Sequence, residues 1–340
     1  MYIVWIKFAI CACFILFAGK RIAMYADVIA EKTGLGGLWI GLVLVAVATS
    51  LPELFTGIGS VVFLDAPDLT IGNLFGANSY NLLNIGFLDL ITKGSPLLCS
   101  LGSGQLLTAV FTLIPILLAA LGIIFWKSGF HVWSIGNVGF FSIAIIISYC
   151  VITKIIYNFE KRKAVKKENT RLPAPPKAKY DDISLKKAYI HYGISAGVII
   201  LSGIWLAYIG KEISEIMGLN QSFVGSLFIG LATTLPEITV SVAALLIGAR
   251  EIAVANMLGS NLFNTAIIFV NDVLYRKSPI LEAVSPGHLR QAFCVMAMTA
   301  VVILGMTMKP KKKFLNISWY VPVLFIIFLV SAYFNFLGGG

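Results

Sequence analysis

Long apolar runs alternate with short polar segments along the chain. Ten such runs approach or exceed the ~20 apolar residues that a helix needs to cross a bilayer. Five runs precede one long polar segment, 154–187, and five follow it. The pattern predicts an all-α polytopic membrane protein with ten transmembrane helices. The runs cover residues 3–18, 38–64, 69–91, 105–126, 130–153, 188–209, 222–248, 252–274, 289–308 and 317–337.

Composition and charge agree with this interpretation. Hydrophobic residues make up 58% of the chain and charged residues 12%, and a soluble domain would need far more polar surface. The net charge of +10 is concentrated in 154–187, which holds eleven Lys and Arg against four Asp and Glu. Basic loops favour the cytoplasmic side of a membrane. We therefore expect a solvated, extended cytoplasmic linker there, and no nucleic-acid partner.

The two halves of the chain resemble each other. Two motifs recur at offsets of 183 and 184 residues, which predicts a first repeat at 1–153 and a second at 188–340. Because each repeat holds five spans, the two copies should be inverted in the membrane. With the linker inside, both termini fall outside. The recurring positions are Pro52, Glu53, Asn73, Asn78 and Asn81 in the first half, and Pro236, Glu237, Asn256, Asn261 and Asn264 in the second.

Each repeat carries one acidic residue in the middle of a span. Glu53 is the only charged residue in 38–64, and Glu237 is the only one in 222–248. Burying a charge at that depth costs at least ~2.5–3.5 kcal/mol. A protonated glutamate that is hydrogen-bonded for packing would be one explanation. The recurrence in equivalent motifs favours a cation held between two carboxylates.

The residues around the glutamates supply further oxygen atoms. Pro52 and Pro236 lack an N–H, so each helix should kink or break and free carbonyl oxygens. Hydroxyls lie three and four residues before each glutamate, on the same helical face. We expect two asparagines to line the site and two to bond between helices. The hydroxyls belong to Thr49, Ser50, Thr233 and Thr234; the site asparagines are Asn81 and Asn264; the bridging asparagines are Asn73 and Asn256.

This set of ligands contains only oxygen, which selects hard cations such as Ca²⁺, Na⁺, Mg²⁺ or Mn²⁺. Two carboxylates neutralise one divalent ion. Replacing that ion with several Na⁺, or with two protons on the glutamates, would keep the site nearly neutral. An empty site with two bare charges should resist crossing the membrane. The charge pattern therefore indicates an antiporter.

The motifs resemble the two alpha-repeats of the cation/calcium antiporter superfamily, specifically the prokaryotic sodium/calcium exchangers. The resemblance rests on ATSLPEL with GNLFGANSYN, and on ATTLPEI with ANMLGSNLFN. It implies a core built from the second, third, seventh and eighth helices, across which the first and sixth slide. It also implies a protein of a prokaryotic plasma (inner) membrane, with transported Ca²⁺ and Na⁺ as substrates, no permanent cofactor and no protein partner.

The resemblance also implies a set of ligands. A central Ca²⁺ position would use the two glutamates and two threonines, and Na⁺ positions would add hydroxyls, carbonyls and the central amides. The Ca²⁺ ligands would be Glu53, Glu237, Thr49 and Thr233. The Na⁺ candidates would be Ser50, Thr234, Ser260, the carbonyls near Ala46 and Gly230, and Asn81 and Asn264.

Two positions depart from the family pattern. Exchangers of this family often have Asp where this chain has Asn264, and Ser where it has Ala77. The first departure leaves two acidic residues instead of three, and the second removes a hydroxyl. Na⁺/Ca²⁺ antiport is the leading hypothesis, and Ca²⁺/H⁺ exchange on the same scaffold is the alternative.

Two other classes of function fit the sequence less well. An intramembrane enzyme using the glutamates as acid and base would need an accompanying histidine or metal motif. His131, His191 and His288 lie at loop or span edges and look ordinary. A passive channel is disfavoured by inverted repeats with a charged midplane site. We therefore predict a transporter and not an enzyme.

Overall fold

The computed structural model describes residues 2–32, 46–130, 133–168, 182–309, 313 and 317–337. These residues are almost entirely helical. A two-stranded antiparallel hairpin (β1, Ser134–Ile135; β2, Val138–Gly139) lies between two of the helices. The helices are α1 Tyr2–Lys32, α2 Leu51–Phe63, α3 Pro67–Ile91, α4 Ser103–Lys127, α5 Phe140–Glu168, α6 Leu185–Met217, α7 Gln221–Thr233, α8 Leu235–Leu246, α9 Arg250–Leu274, α10 Ile280–Ala283, α11 Gly287–Met308 and α12 Tyr320–Leu337.

Within the described residues, seven helices are long and apolar enough to cross a membrane. They are α1, α4, α5, α6, α9, α11 and α12, and the bent pair α7 and α8 makes an eighth if it counts as one span. Helix α3 has the length of a span, but four asparagines lower its hydropathy. The first part of the predicted span 38–64 lies outside the described residues. The prediction of an all-α membrane protein is confirmed; the count of ten spans and the inverted repeats stay predictions.

Two helices run beyond the apolar runs that predicted them. Helix α1 continues past residue 18 to Lys32. Helix α5 continues to Glu168, so the expectation of an extended linker is wrong for 154–168. That stretch holds five Lys, one Arg and two Glu and has no Pro or Gly, so nothing in it stops the helix. Part of the predicted linker, 169–181, lies outside the described residues.

Helices α3 and α9 form the buried centre of the molecule and pack against each other. Helix α3 also crosses α7 at unusually short range, because glycines face each other there. A Cβ atom added to Gly76 would lie 2.3 Å from the carbonyl oxygen of Ser226, and one added to Gly225 would lie 2.7 Å from that of Leu69. Only glycine permits backbones to approach this closely.

Helices α3 and α9 each end two residues after a buried aspartate, and the two aspartates lie 183 residues apart. The backbone N–H of Leu97 donates a hydrogen bond to Oδ1 of Asp89 over 2.7 Å. The backbone N–H of Ile280 donates to Oδ1 of Asp272 over 2.6 Å. Each carboxylate therefore holds the backbone of the residue eight positions after it, and the two bonds lie at matching positions of the two halves.

The second oxygen of each aspartate contacts the other half of the chain. Oδ2 of Asp89 lies 3.2 Å from Nζ of Lys313, in the segment between α11 and α12. Oδ2 of Asp272 accepts a hydrogen bond of 2.9 Å from the N–H of Gly139, in the segment between α4 and α5. The hydroxyl of Tyr320 also donates to Oδ1 of Asp89, over 2.5 Å. Each half of the chain thus provides a partner for the buried aspartate of the other half.

Candidate cation-binding site

Both glutamate motifs lie where a helix is interrupted. Helices α7 and α8 meet at Thr234 and are bent by 42° relative to each other. In the first half, a turn at Ser50 separates the helical residues 46–49 from α2. Because Pro52 and Pro236 have no N–H, the carbonyl four residues before each loses its helical partner. The predicted break at Pro236 is confirmed, and a turn marks the equivalent place before Pro52.

The breaks bring both glutamates into the interior. Glu53 lies in the first turn of α2 and Glu237 in the first turn of α8, and both side chains are fully buried. The two carboxyl groups are close enough to interact electrostatically. Unpaired N–H groups at the start of a helix favour negative charge. The fold therefore places two carboxylates of opposite halves together, each at a helix start.

The two glutamate carboxylates differ in the hydrogen bonds that they accept. The hydroxyl of Ser50 donates a 3.0 Å hydrogen bond to Oε1 of Glu237. Thr234, the counterpart of Ser50, instead donates to its own helix, to the carbonyls of Gly230 at 2.9 Å and Leu231 at 3.1 Å. Neither carboxylate oxygen of Glu53 has a hydrogen-bond partner among the described residues. The carboxylate of Glu237 thus accepts a hydrogen bond from the first half of the chain, whereas that of Glu53 accepts none from the described residues.

Two threonines of the predicted set lie beside the carboxylates. Thr233 lies beside Glu53, and Thr49 lies beside Glu237. The hydroxyl of Thr233 also donates to Oδ1 of Asn73 on α3, over 3.1 Å. The structure therefore pairs each threonine with the glutamate of the opposite half.

The packing of α3 against α9 buries the asparagines that were predicted to line the site. Nδ2 of Asn81 donates to Oδ1 of Asn261 over 3.0 Å, which leaves Oδ1 of Asn81 without a partner. Asn264 has no hydrogen-bond partner on either side-chain atom, and Ser260 has none on its hydroxyl, within the part of the chain that the structure describes. All three side chains are fully buried.

Asn73 and Asn256 bond between helices, as expected for asparagines within a span. Asn73 accepts from Thr233 of α7. Nδ2 of Asn256 donates to the backbone carbonyl of Glu237, over 3.3 Å, and to Oγ of Ser241, over 3.1 Å. Both asparagines therefore bond to the second glutamate motif and the helix that follows it, one from α3 and one from α9.

The two predicted carbonyl ligands take part in helical hydrogen bonds here. The carbonyl of Ala46 accepts from the N–H of Ser50 over 3.0 Å, and that of Gly230 accepts from the N–H of Thr234 over 3.2 Å. The carbonyl of Ala46 also accepts from the hydroxyl of Thr49 over 3.2 Å, and that of Gly230 from the hydroxyl of Thr234 over 2.9 Å. Since a carbonyl oxygen has two lone pairs, an ion would bind either one in place of a hydroxyl. The structure brings both close to the glutamate motifs, because they precede the breaks.

The sequence did not predict a buried polar cluster around His288. His288 looks ordinary in the sequence, yet its side chain is fully buried and lies 2.8 Å from a carboxylate oxygen of Asp68. Its position at the start of α11 gave no signal of burial. Two of its partners, Asp68 and Ser222, come from the starts of α3 and α7, more than 60 residues away along the chain.

Comparisons with known proteins agree with the motifs. Residues 3–158 and 188–338 match a family model described as sodium/calcium exchanger protein. The putative antiporter CaxA of Alkalimonas amylolytica is 22% identical over 298 residues, which cover 85% of both chains. The inner membrane protein YrbG of Escherichia coli is 22% identical over 255 residues, 75% of this chain and 74% of YrbG.

Solved structures share the fold. The H⁺/Ca²⁺ exchanger CAX superposes with a TM-score of 0.71 at 12% identity, over 99% of this chain and 85% of that one. The sodium-calcium exchanger NCX_Mj, soaked with 10 mM Na⁺ and no Ca²⁺, superposes with a TM-score of 0.56 at 18% identity, over 97% and 98%. At such identities the likeness establishes the fold alone.

Proposed function

The chain belongs to the sodium/calcium exchanger protein family, and we propose that it exchanges Ca²⁺ for Na⁺ by alternating access at one site between Glu53 and Glu237. As a member of this family of transporters, it is an integral membrane protein and not an enzyme. The proposed Ca²⁺ ligands are the two glutamates with Thr49 and Thr233. The proposed Na⁺ ligands are Ser50, Thr234, Ser260, Asn81, Asn264 and the carbonyls of Ala46 and Gly230.

One observation carries this proposal. Six buried oxygen atoms of the proposed ligands lack a hydrogen-bond partner among the described residues. Buried polar atoms are usually satisfied, and each unsatisfied one costs about 1–3 kcal/mol. A hard cation would satisfy several at once. The atoms are both carboxylate oxygens of Glu53, Oε2 of Glu237, Oγ of Ser260, and Oδ1 of Asn81 and Asn264.

The charge of the site leaves proton coupling as a second candidate. With Asn at 264, the buried cluster contains two carboxylates, whose charge one Ca²⁺ or two protons would balance. Three bound Na⁺ would leave the same cluster with a charge of +1. The absence of a hydroxyl at Ala77 also removes one Na⁺ ligand that the family pattern would supply. These two residues favour Ca²⁺/H⁺ exchange as the alternative.

The packing of α1 supports alternating access by sliding. Helix α1 runs along α6 and also contacts α8. A Cβ atom added to Gly19 of α1 would lie 2.4 Å from Cγ of Pro236, directly before Glu237. At one end, Nζ of Lys7 in α1 lies 2.8 Å from a carboxylate oxygen of Glu212 in α6. Helices α1 and α6 therefore form a pair that borders the site, as the proposed sliding requires.

The matching of Asp89 and Asp272 supports two inverted repeats. Their cross-half partners, Lys313 and Gly139, follow the fourth spans of opposite repeats. In the proposed topology, with both termini outside and the basic linker in the cytoplasm, Asp89 and Lys313 lie inside, whereas Asp272 and Gly139 lie outside. We place this topology in the inner membrane of a prokaryote, with the lipid bilayer as the surrounding partner.

Transport in proteoliposomes tests the coupling ion. Ca²⁺ uptake is measured with an outward Na⁺ gradient at equal pH, and with an outward proton gradient without Na⁺. Na⁺/Ca²⁺ exchange predicts uptake that follows the Na⁺ gradient. Uptake that ignores Na⁺ and follows pH would replace it with Ca²⁺/H⁺ exchange. Uptake that needs neither gradient would indicate a channel and contradict both.

A further inference from the structure

His288 occupies a buried position where three helices begin. It is the second residue of α11, and its side chain contacts residues at the starts of α3 and α7. Helices α3 and α7 lead from this junction to Asn73 and to the break before Glu237. The junction is separate from the proposed cation ligands, none of which contacts His288. A change at His288 would therefore act on the site through two helices that frame it.

Both ring nitrogens of His288 face oxygen atoms. Nε2 lies 2.8 Å from Oδ1 of Asp68 and 3.1 Å from Oγ of Ser222. Nδ1 lies 3.1 Å from Oε1 of Gln291, one turn along α11. Oδ1 of Asp68 also accepts a 2.7 Å hydrogen bond from the N–H of Ser285, so this carboxylate oxygen is held in place.

The orientation of Gln291 decides the charge of the ring. Its amide nitrogen donates to the backbone carbonyl of Ser222 over 3.4 Å, and a carbonyl can only accept. Oε1 must then face Nδ1 of His288, and this oxygen can only accept as well. A neutral imidazole has a single N–H, whereas the protonated ring donates from both nitrogens. Only the imidazolium form of His288 satisfies both Asp68 and Gln291.

We propose that His288 is a proton-binding site that regulates exchange. The proton on His288 joins α3, α7 and α11 through Asp68, Ser222 and Gln291. Loss of the proton removes one of the two donors, so that either the bond to Asp68 or the bond to Gln291 is lost. Loss of the Asp68 bond loosens the start of α3. Loss of the Gln291 bond frees the amide that holds the start of α7, the helix that ends at the break before Glu237. Exchange should rise when His288 is deprotonated.

A cavity beside His288 and Asp68 lets a proton exchange with the solvent. A cavity of about 160 Å³ is lined by Asp68, Ser222 and Arg290, among other residues, and the Asp68 side chain is 30% exposed. Other titratable groups act on Asp68 from neighbouring elements. They are Lys127 at the end of α4, whose Nζ donates to the carbonyl of Glu282 on α10, and Tyr275 after α9. Helix α7 contributes Ser222, which does not titrate here, and α12 contributes the neutral Asn335 to the cavity.

The direct test is ¹⁵N-histidine NMR of the purified full chain at pH 7.5. The chain has three histidines, so His131→Gln and His191→Gln variants identify the His288 signals without altering His288. We expect protons on both ring nitrogens of His288. His191, which is partly exposed and stacks on Tyr25, provides a reference histidine outside the junction. A single protonated nitrogen on His288 would overturn the proposal.

Two variants extend the test. Asp68→Asn removes the carboxylate, so His288 should become neutral at pH 7.5; a ring still doubly protonated would contradict the role of Asp68. For regulation, Ca²⁺ flux is compared between pH 7.5 and pH 9 in the wild type, His288→Gln and His191→Gln. We expect the rise with pH to be several-fold smaller in His288→Gln alone. An unchanged rise would exclude regulation through this residue.

This inference does not depend on the identity of the exchanged ions. The NMR measurement requires no transport, so failure of Ca²⁺ exchange in vesicles would leave the proton site standing. Conversely, a neutral His288 would leave the proposed exchange at Glu53 and Glu237 untouched. If His288→Gln does not fold, the Asp68→Asn variant carries both the NMR comparison and the flux comparison.

Discussion

The hydroxyl of Ser50 donates a 3.0 Å hydrogen bond to Oε1 of Glu237, across 187 residues of chain. This bond connects the broken helix of one half to the carboxylate of the other. Its counterpart is missing, because Thr234 donates to the backbone of its own helix. The site is therefore asymmetric, although the sequence around the two glutamates is nearly the same.

The asymmetry predicts unequal effects of two matched variants. A hydrogen bond to a charged group contributes about 1.5–3 kcal/mol, so Ser50→Ala should weaken Ca²⁺ affinity roughly 10- to 100-fold. Thr234→Ala removes only a hydroxyl bonded to its own helix, and should change the affinity far less. Titration calorimetry in Na⁺-free buffer measures both. An effect of Thr234→Ala as large as that of Ser50→Ala would show that the observed bond does not shape the site.

The crossing of α3 and α7 should not tolerate a methyl group. Gly76→Ala places a Cβ atom 2.3 Å from a backbone oxygen of Ser226, whereas Gly86→Ala meets nothing closer than 3.6 Å. Overpacking costs about 1–3 kcal/mol, while alanine in place of glycine otherwise favours a helix by up to about 1 kcal/mol. Thermal unfolding in detergent should therefore show a lower midpoint for Gly76→Ala and an equal or higher one for Gly86→Ala. Equal midpoints for the two variants would be inconsistent with this close crossing.

The buried ion pair at the end of α3 should contribute strongly to stability. The side chains of Lys313 and Asp89 are 4% and 0% exposed, and removing one partner of a buried pair costs about 3–5 kcal/mol. Lys313→Met should therefore lower the unfolding midpoint strongly, or prevent accumulation of folded protein.

The exposed pair of Lys277 and Asp65 provides the control. The hydrogen bond from Lys277 holds the pKa of the Asp65 carboxyl below its usual range. Both side chains are more than half exposed, so solvent screens the pair and its contribution to stability is small. Lys277→Met should leave the midpoint nearly unchanged. A larger fall of the unfolding midpoint in Lys277→Met than in Lys313→Met would contradict the claim that the buried pair contributes more to stability.

A third carboxylate should shift the exchange toward sodium. Asn264→Asp adds a negative charge among the unpartnered oxygens, so that three Na⁺ would balance the site. Ca²⁺ uptake driven by an outward Na⁺ gradient should rise relative to uptake driven by a proton gradient. If the ratio of the two rates stays the same, residue 264 does not determine the coupling ion.

The sequence predicted the central features because each has a local signal. A lone charge in an apolar run must be buried when the run crosses a membrane, so Glu53 and Glu237 are recognisable. A proline within such a run forces the break that α7 and α8 show at Thr234. The family assignment followed from the same motifs and is confirmed by the match over 3–158 and 188–338.

Other features depend on distant partners and gave no local signal. Asp89 and Asp272 lie at the ends of apolar runs, where a charged residue is ordinary, and Lys313 is 224 residues from Asp89. His288 is buried only because α3 and α7 begin beside it. The difference between Ser50 and Thr234 lies in which acceptor the hydroxyl faces, and spacing along a helix does not determine that choice.

The central claim is that Glu53 and Glu237 form one shared cation site, and Ca²⁺ binding to the purified protein tests it most directly. Wild type, Glu53→Gln and Glu237→Gln are compared by ⁴⁵Ca²⁺ equilibrium binding in Na⁺-free buffer, with unfolding midpoints to confirm that each variant is folded. Losing one carboxylate of a buried charged site costs about 2–5 kcal/mol, or a roughly 30- to 5,000-fold loss of affinity. We predict one Ca²⁺ per chain in the wild type and its loss in both folded variants. Binding retained at wild-type affinity in either folded variant would contradict a shared site.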